Sequence, residues 1–318
     1  MSAPDARRVV RRERLTVSER AEIERVERAA QAVDGLSALD DQARLDLQYE
    51  GTSAVEHLLV WSPEGDVVVG YAQLRLGSAA DDTAVAQLVV DPSHRGAGLG
   101  TALGQRLIAE AGTRPLRAWA HGDHPAARTL AHRLHFVGVR QLLQLRAALD
   151  RPIAVPPPAA GVTVRTFEVG RDEDAWLAVN AAAFRDHPEQ GAMTADDLAH
   201  RMAQAWFDPA GFFLAERDGD LVGFHWTKIH PANATGGAVG EVHVLGVHPD
   251  AQGLGLGKTL TMVGLRHLQR RGLREVMLYV ESDNTAALAL YQRLGFRHVS
   301  TDVMYERHHT ELASNTGR

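Results

Sequence analysis

The sequence predicts an α/β protein, of the α+β type, built as two tandem copies of one domain. Three observations predict it. The chain repeats its own motifs in the same order, and a proline-rich segment divides the copies. Each copy also runs through strands, a helix and a hairpin before a glycine-spaced loop that opens a further helix.

The repeat is read from "VAQLVVDPSHRGAGLGTALGQRL" (Val85 to Leu107) and "GEVHVLGVHPDAQGLGLGKTLTMVGL" (Gly240 to Leu265). Setting Asp91-Pro92 on His248-Pro249 lays "RGAGLG" on "QGLGLG", glycine on glycine. Downstream, "HPAARTLAHRLHF" (His124 to Phe136) falls on "NTAALALYQRLGF" (Asn284 to Phe296), with a small drift that a loop explains. Between the copies, the consecutive prolines of "RPIAVPPPAAG" cannot continue a helix or sit inside a sheet, so a stiff linker is expected. The expected division is a first domain at 1–150, a linker at 151–161 and a second domain at 162–318.

In the first copy, "VVRRERLTV" reads as a strand and Ser18 as the N-cap of a helix. Ile23, Val26, Ala30 and Val33 keep helical spacing as far as Asp34-Gly35. "HLLVW", a Pro-Glu-Gly-Asp turn and "VVVGYAQL" form a hairpin. The second copy repeats the plan with "VTVRTF", a helix through "EDAWLAVNAAAF", "FFLAE", the turn Asp218-Gly219 and "LVGFHWTKI". The glycine loop comes after the hairpin, unlike a nucleotide-binding βαβ unit, where it follows the first strand.

Composition narrows the partners. A net charge of −6 opposes a nucleic-acid role, which needs a basic face. The opening arginines alternate with Val9, Val10 and Leu15, as in a strand with one solvated side. There are no cysteines, hence no disulfide, thiol nucleophile or Cys-held zinc. His121, His124, His132 and His135 have no accompanying Glu cluster, so no metal is expected. With no apolar signal core and no apolar run near ~20 residues, the expectation is a cytoplasmic protein without a membrane partner; a monomer is expected as well.

Successive backbone N–H groups at a helix start form an anion cradle, and glycines let the anion come close. Gly246 lies inside the preceding strand, where a glycine points to a bulge or a close ligand approach. The helix is expected from about Lys258. The strand, the "QGLGLG" loop, the helix and "NTAALALYQRLGF" together resemble the GCN5-related N-acetyltransferase (GNAT) superfamily.

That resemblance implies two mixed, mostly antiparallel sheets flanked by helices, each splayed beside a bulged strand, with acetyl-CoA as co-substrate. It assigns the pantetheine arm to Leu245, Gly246 and Val247, and the diphosphate to Gln252, Gly253, Leu254, Gly255, Leu256, Gly257 and Lys258, with Asn284 and Ala287 nearby. The first copy keeps the matching Leu88, Val89, Val90, Gly96, Ala97, Gly98, Leu99, Gly100 and Thr101, and is expected to bind acetyl-CoA or only to stabilise the fold.

Alignment sets Glu241 on Ala84, Tyr291 on Ala131, Asn284 on His124 and Gly295 on His135. Only the second copy therefore keeps groups that move protons. An amine attacking a thioester must be neutral, and the departing thiolate benefits from a donor. Glu241 is the expected base and Tyr291, whose phenol stays protonated near neutrality, the expected acid.

"AAAFRDHPEQG", "GFHWTKIHP", "GEVHVLGVHP" and "LYVESDN" resemble the tandem branch of the superfamily that acetylates the cysteinyl amine of cysteinyl-glucosaminyl-inositol, a small pseudo-disaccharide. The resemblance implies acceptor contacts from His187, Glu189, Lys228, Glu241 and Tyr279, and from Asp41 in the first copy, where Asp40 is an equal candidate. "PANATGG" reads as a hairpin tip. Two other readings remain: a GNAT enzyme acting on another amine, such as an aminoglycoside or a protein N-terminus, and an acetyl-CoA sensor without turnover.

Overall fold

The computed structural model describes residues 8–48, 55–77, 82–185, 187–232 and 236–308. The chain divides into two compact units. One comprises the residues up to Leu142 together with the segment from Ser300 onward; the other is Leu143–Val299.

In the first unit, β1 (Val9–Arg12), β2 (Val55–Trp61), β3 (Val68–Arg75) and β4 (Ala84–Val90) form an antiparallel meander. β5 (Leu116–Ala120) adds to β4 in parallel. Helix α1 (Val17–Asp34) is capped by Thr16, whose hydroxyl accepts from the Glu19 amide while the Glu19 carboxylate accepts from the Thr16 amide. The start thus lies two residues before the expected Ser18, because this reciprocal pair satisfies two orphan donors. Alternation along β2 sends Leu59 to the cluster with Ile23 and Val26 of α1, and Leu58 to the cluster with Leu103 and Leu107 of α3 (Leu99–Ala111). A short helix α2 (Asp41–Gln48) adds Ala43 and Leu47 to the α1 side. After β5, α4 (Pro125–Arg133) leads into β6 (Val137–Ala148).

The second unit repeats the plan. β7 (Val162–Thr166), β8 (Phe212–Arg217), β9 (Asp220–His230) and β10 (Val239–Val247) are antiparallel, and β11 (Glu275–Glu281) is parallel to β10. Helix α8 (Leu256–Arg270) covers one face through Leu265 and Leu268. On the other face α5 (Glu173–Ala183) buries Trp176 against Phe212, Phe224 and Trp226. The short α6 (Pro188–Gly191), α7 (Ala195–Met202) and α9 (Thr285–Arg293) complete the unit. Residues 152–159 of the linker carry no regular secondary structure.

The units do not follow the 1–150 and 162–318 division. Val303–Arg307 of the last strand, β12 (Arg297–Arg307), pair antiparallel with Leu116–Ala120 of the first unit. The end of β6 lies beside β11, and the Leu149 amide donates to the Arg274 carbonyl at 2.8 Å. Each unit is therefore completed by the later part of the other copy's last strand, since strand pairing rather than chain order sets the boundary. Among the described residues no helix is long and apolar enough to cross a membrane.

Candidate active site

The site of the second unit is built on the β9–β10 hairpin. Its register sets Glu241 opposite Lys228 and Val239 opposite His230. Between Val242 and Val244 the register shifts, so the bulge sits at His243, three residues before Gly246. Gly246 is needed for packing: a Cβ there would lie 2.7 Å from the Phe224 ring. Gly240 and Val242 meet α8, whereas Glu241 points to the opposite face with Lys228, His230 and His243.

Glu241 is buried, with Oε2 2.5 Å from His230 Nε2 and Oε1 3.3 Å from His243 Nδ1. Burial alone would raise its pKa. The hydrogen bonds from His230 and His243, with the charges of His243 and Lys228, override it and hold the carboxyl well below the usual range. Lys228, also buried, places Nζ 4.7 Å above the Trp206 ring, and His243 lies edge-on to Trp206 and Trp226. His230, His243 and the two tryptophans escaped the sequence reading. The alternation of Lys228 with His230 and of Glu241 with His243 held the signal, but the length of the hairpin tip hid which residues face one another. Part of that tip, in "PANATGG", falls outside the described residues.

The parallel β10–β11 pairing sets Glu241 beside Met277 and ends at Val242–Leu278, while β9 pairs with β10 as far as Val247. Among the described residues the β11-side edge of β10 from Val244 to Val247 has no strand partner. Leu245, Gly246 and Val247 lie on that open edge. The glycine loop follows, with Gly253 and Gly255 at φ of 82° and 74°. Added Cβ atoms at Gly253, Gly255 and Gly257 would meet open space. Helix α8 starts at Leu256, ahead of the expected Lys258, and has no side-chain cap, so its first amides stay available for an anion.

Tyr291 packs on the α8 side, its ring 5.5 Å from Phe296 in a cluster with Val280 and Leu278, and burial pushes its pKa up to about 12. Asn284 caps α9 by accepting from the Ala287 amide. Tyr279 shares the Glu241 face; its hydroxyl accepts from Gln144, a residue of β6. His187 Nε2 is 3.5 Å from Glu281. The side chain of Glu189 lies outside the described residues. Asp41 belongs to the first unit, where it pairs with Arg44 at 3.7 Å, and neighbouring Asp40 accepts from the Ala43 amide.

The first unit keeps the same opening. Its β4–β5 pairing spans only Ala84–Ala86 while β3 follows β4 to Val90, and α3 also starts after a left-handed glycine, Gly98, without a side-chain cap. A cavity of about 530 Å³ lies there, lined by Leu88, Val89, Val90, Gly96, Leu99, Gly100, Thr101, Trp119 and His121. Against the fifth strand, however, Glu241 corresponds to Val85, not Ala84: Val85 pairs with Arg117 as Glu241 pairs with Met277. The extra residue at the His243 bulge slips the alignment by one. Tyr291 still falls on Ala131, and His124 acts as the α4 cap by accepting from the Ala126 amide. Among the described residues no His, Asp and Glu gather to hold a metal.

Family comparison agrees with this architecture. The model of the acetyltransferase (GNAT) family matches residues 23–136 and again 176–296. The chain belongs to the GNAT acetyltransferase family. It is an N-acetyltransferase with two tandem GNAT domains. It is 55% identical over 279 residues to the mycothiol acetyltransferase of Streptomyces avermitilis, covering 87% of each chain. It is 49% identical over 307 residues to that of Streptomyces bingchenggensis, covering 95% of this chain and 97% of the relative. Among solved structures, a tandem GNAT protein from the clavulanic acid biosynthesis pathway shares the fold with a TM-score of 0.73 at 20% identity, covering 96% and 99% of the two chains.

Proposed function

We propose that the second unit transfers an acetyl group from acetyl-CoA to the cysteinyl amine of cysteinyl-glucosaminyl-inositol, the last step of mycothiol assembly. One observation carries the reading: a buried carboxylate, Glu241, held among His230, His243 and Lys228 where β10 parts from β11. The open strand edge and the uncapped, glycine-led helix suit a pantetheine arm and a diphosphate, through Leu245–Val247 and Gln252–Lys258. When bound, acetyl-CoA supplies the activated acyl group. Glu241 and its histidine partners draw the amine proton on one face, while Tyr291, protonated at neutral pH, offers a proton to the departing sulfur from the α8 side. Lys228, Tyr279, His187 and Glu189 are the proposed contacts to the acceptor.

The first unit, with Val85 and Ala131 at the corresponding positions, is assigned acetyl-CoA binding without turnover. The reaction draws on an intracellular thioester, so a cytoplasmic location is proposed, with the chain acting as a monomer. Mass spectrometry of cell thiols in a deletion strain tests the acceptor. Accumulated unacetylated cysteinyl compound supports it, and unchanged thiols direct attention to another amine. Absence of any acetyl-CoA turnover by the purified chain would leave only a sensor.

A further inference from the structure

We propose that His230 is the catalytic base and that Glu241 is its positioning residue, acting on the amine only through the imidazole. The inference rests on the acetyltransferase reading of the second unit. Both oxygens of Glu241 are occupied, Oε2 by His230 and Oε1 by His243, and its side chain is only 8% exposed. The His230 side chain, in contrast, is 34% exposed. His243 is 13% exposed and sits against Trp206 and Trp226, so it is walled in. Lys228 faces Glu241 across the hairpin and lies over Trp206; an ammonium has no lone pair to offer. Of the polar groups around the carboxylate, His230 is the one that reaches outward.

Chemistry favours the same division. An imidazole whose Nε2–H is donated to a carboxylate carries its lone pair on Nδ1, and the carboxylate fixes the tautomer and steadies the imidazolium that forms. Among the described residues nothing is bonded to His230 Nδ1. In the step, the amine lone pair forms the bond to the thioester carbonyl carbon and one N–H proton passes to His230 Nδ1. The C–S pair leaves with sulfur, which takes the Tyr291 proton. His230 then releases its proton to water and Tyr291 regains one, so the sum is amide plus free thiol.

The full-length chain with acetyl-CoA and cysteinyl-glucosaminyl-inositol provides the test. In His230→Ala, kcat is expected to fall by ~10²-fold, with calorimetric acetyl-CoA affinity kept and added free imidazole restoring rate. Independently of turnover, ¹⁵N NMR of the wild-type protein is expected to show neutral His230 protonated on Nε2. A wild-type rate in the variant, a loss that imidazole does not rescue, or a ring protonated on Nδ1 overturns the assignment while the acetyltransferase reading stands. Failure of the wild-type chain to acetylate this acceptor overturns that reading, and this inference with it.

Discussion

Glu241 and Val85 hold the same place in their two units, each in the middle of a three-residue parallel pairing, opposite Met277 and Arg117. One position carries a buried carboxylate and the other an apolar side chain. This contrast supports the proposal that proton handling belongs to the second unit. Glu241→Gln is expected to lower kcat by ~10²-fold while calorimetry finds acetyl-CoA affinity unchanged. Loss of both together would make the residue a scaffold.

Tyr291 separates a chemical from a packing role. Tyr291→Phe keeps the ring against Phe296 and should leave the melting temperature near wild type while slowing turnover. Tyr291→Ala opens a hole in the α8-side cluster and is expected to destabilise by ~3–5 kcal/mol, as large-to-small core changes of aromatic residues do. Because burial lifts the phenol to about 12, the proton it offers is retained as pH rises past the ordinary tyrosine value near 10. A wild-type kcat profile with an alkaline limb at or below pH ~10 that is missing in Tyr291→Phe would contradict this.

The two glycine loops make a matched pair of tests. Gly98 and Gly255 both sit in the left-handed region ahead of an uncapped helix. A valine there meets a backbone penalty of roughly 1–2 kcal/mol and narrows the cradle. Calorimetric titration is expected to count two acetyl-CoA sites in the wild type and one in either variant. A single site in the wild type would refute the assignment of the first unit.

His225 sets an acid limit. It is fully buried, its Nδ1 2.7 Å from the Leu260 carbonyl, and a Cβ added at Gly264 would fall 2.1 Å from its ring. Burial lowers its pKa to about 4, with the charge of His267 adding to the effect and the Leu260 carbonyl opposing it. The fold thus favours neutral imidazole: its contribution is whole above ~6.5 and is lost as pH falls through about 4. The unfolding free energy from urea titration should drop across that window by an amount on the order of 3 kcal/mol, and His225→Gln should flatten the slope. Gly264→Ala should destabilise at every pH by ~1–3 kcal/mol through overpacking.

Asp302 tests the strand exchange. It accepts from the Gly122 amide and lies 2.8 Å from His121 Nδ1, both in the first unit. Truncation after Val299 should make residues of the first unit the earlier target of limited proteolysis, leaving Leu143–Val299 protected. Equal protection of both units would show that the last strand is dispensable.

Much of this was legible in the sequence. The duplicated glycine loops located α3 and α8, and the aligned segments from His124 and Asn284 cover α4 and α9, although their capping by those two residues was not foreseen. What escaped depends on pairing across space. One bulged residue at His243 moved the counterpart of Glu241 from Ala84 to Val85. His230 met Glu241 only through the hairpin register, and Gln144 met Tyr279 only because β6 ends in the second unit. The linker prolines marked where the copies join, but hydrogen bonds to Arg274 and to Leu116–Ala120 drew the boundary.

The exchanged strands also set an order of assembly on the ribosome. Domains ordinarily fold in the sequence in which they are made, as the chain emerges at ~5–20 residues per second. Here the later-made unit is one uninterrupted stretch, whereas the earlier one must wait for its sixth strand until Arg307 has been synthesised. The half proposed to carry out the chemistry can thus be finished before its older sibling, which stays open-edged through most of translation.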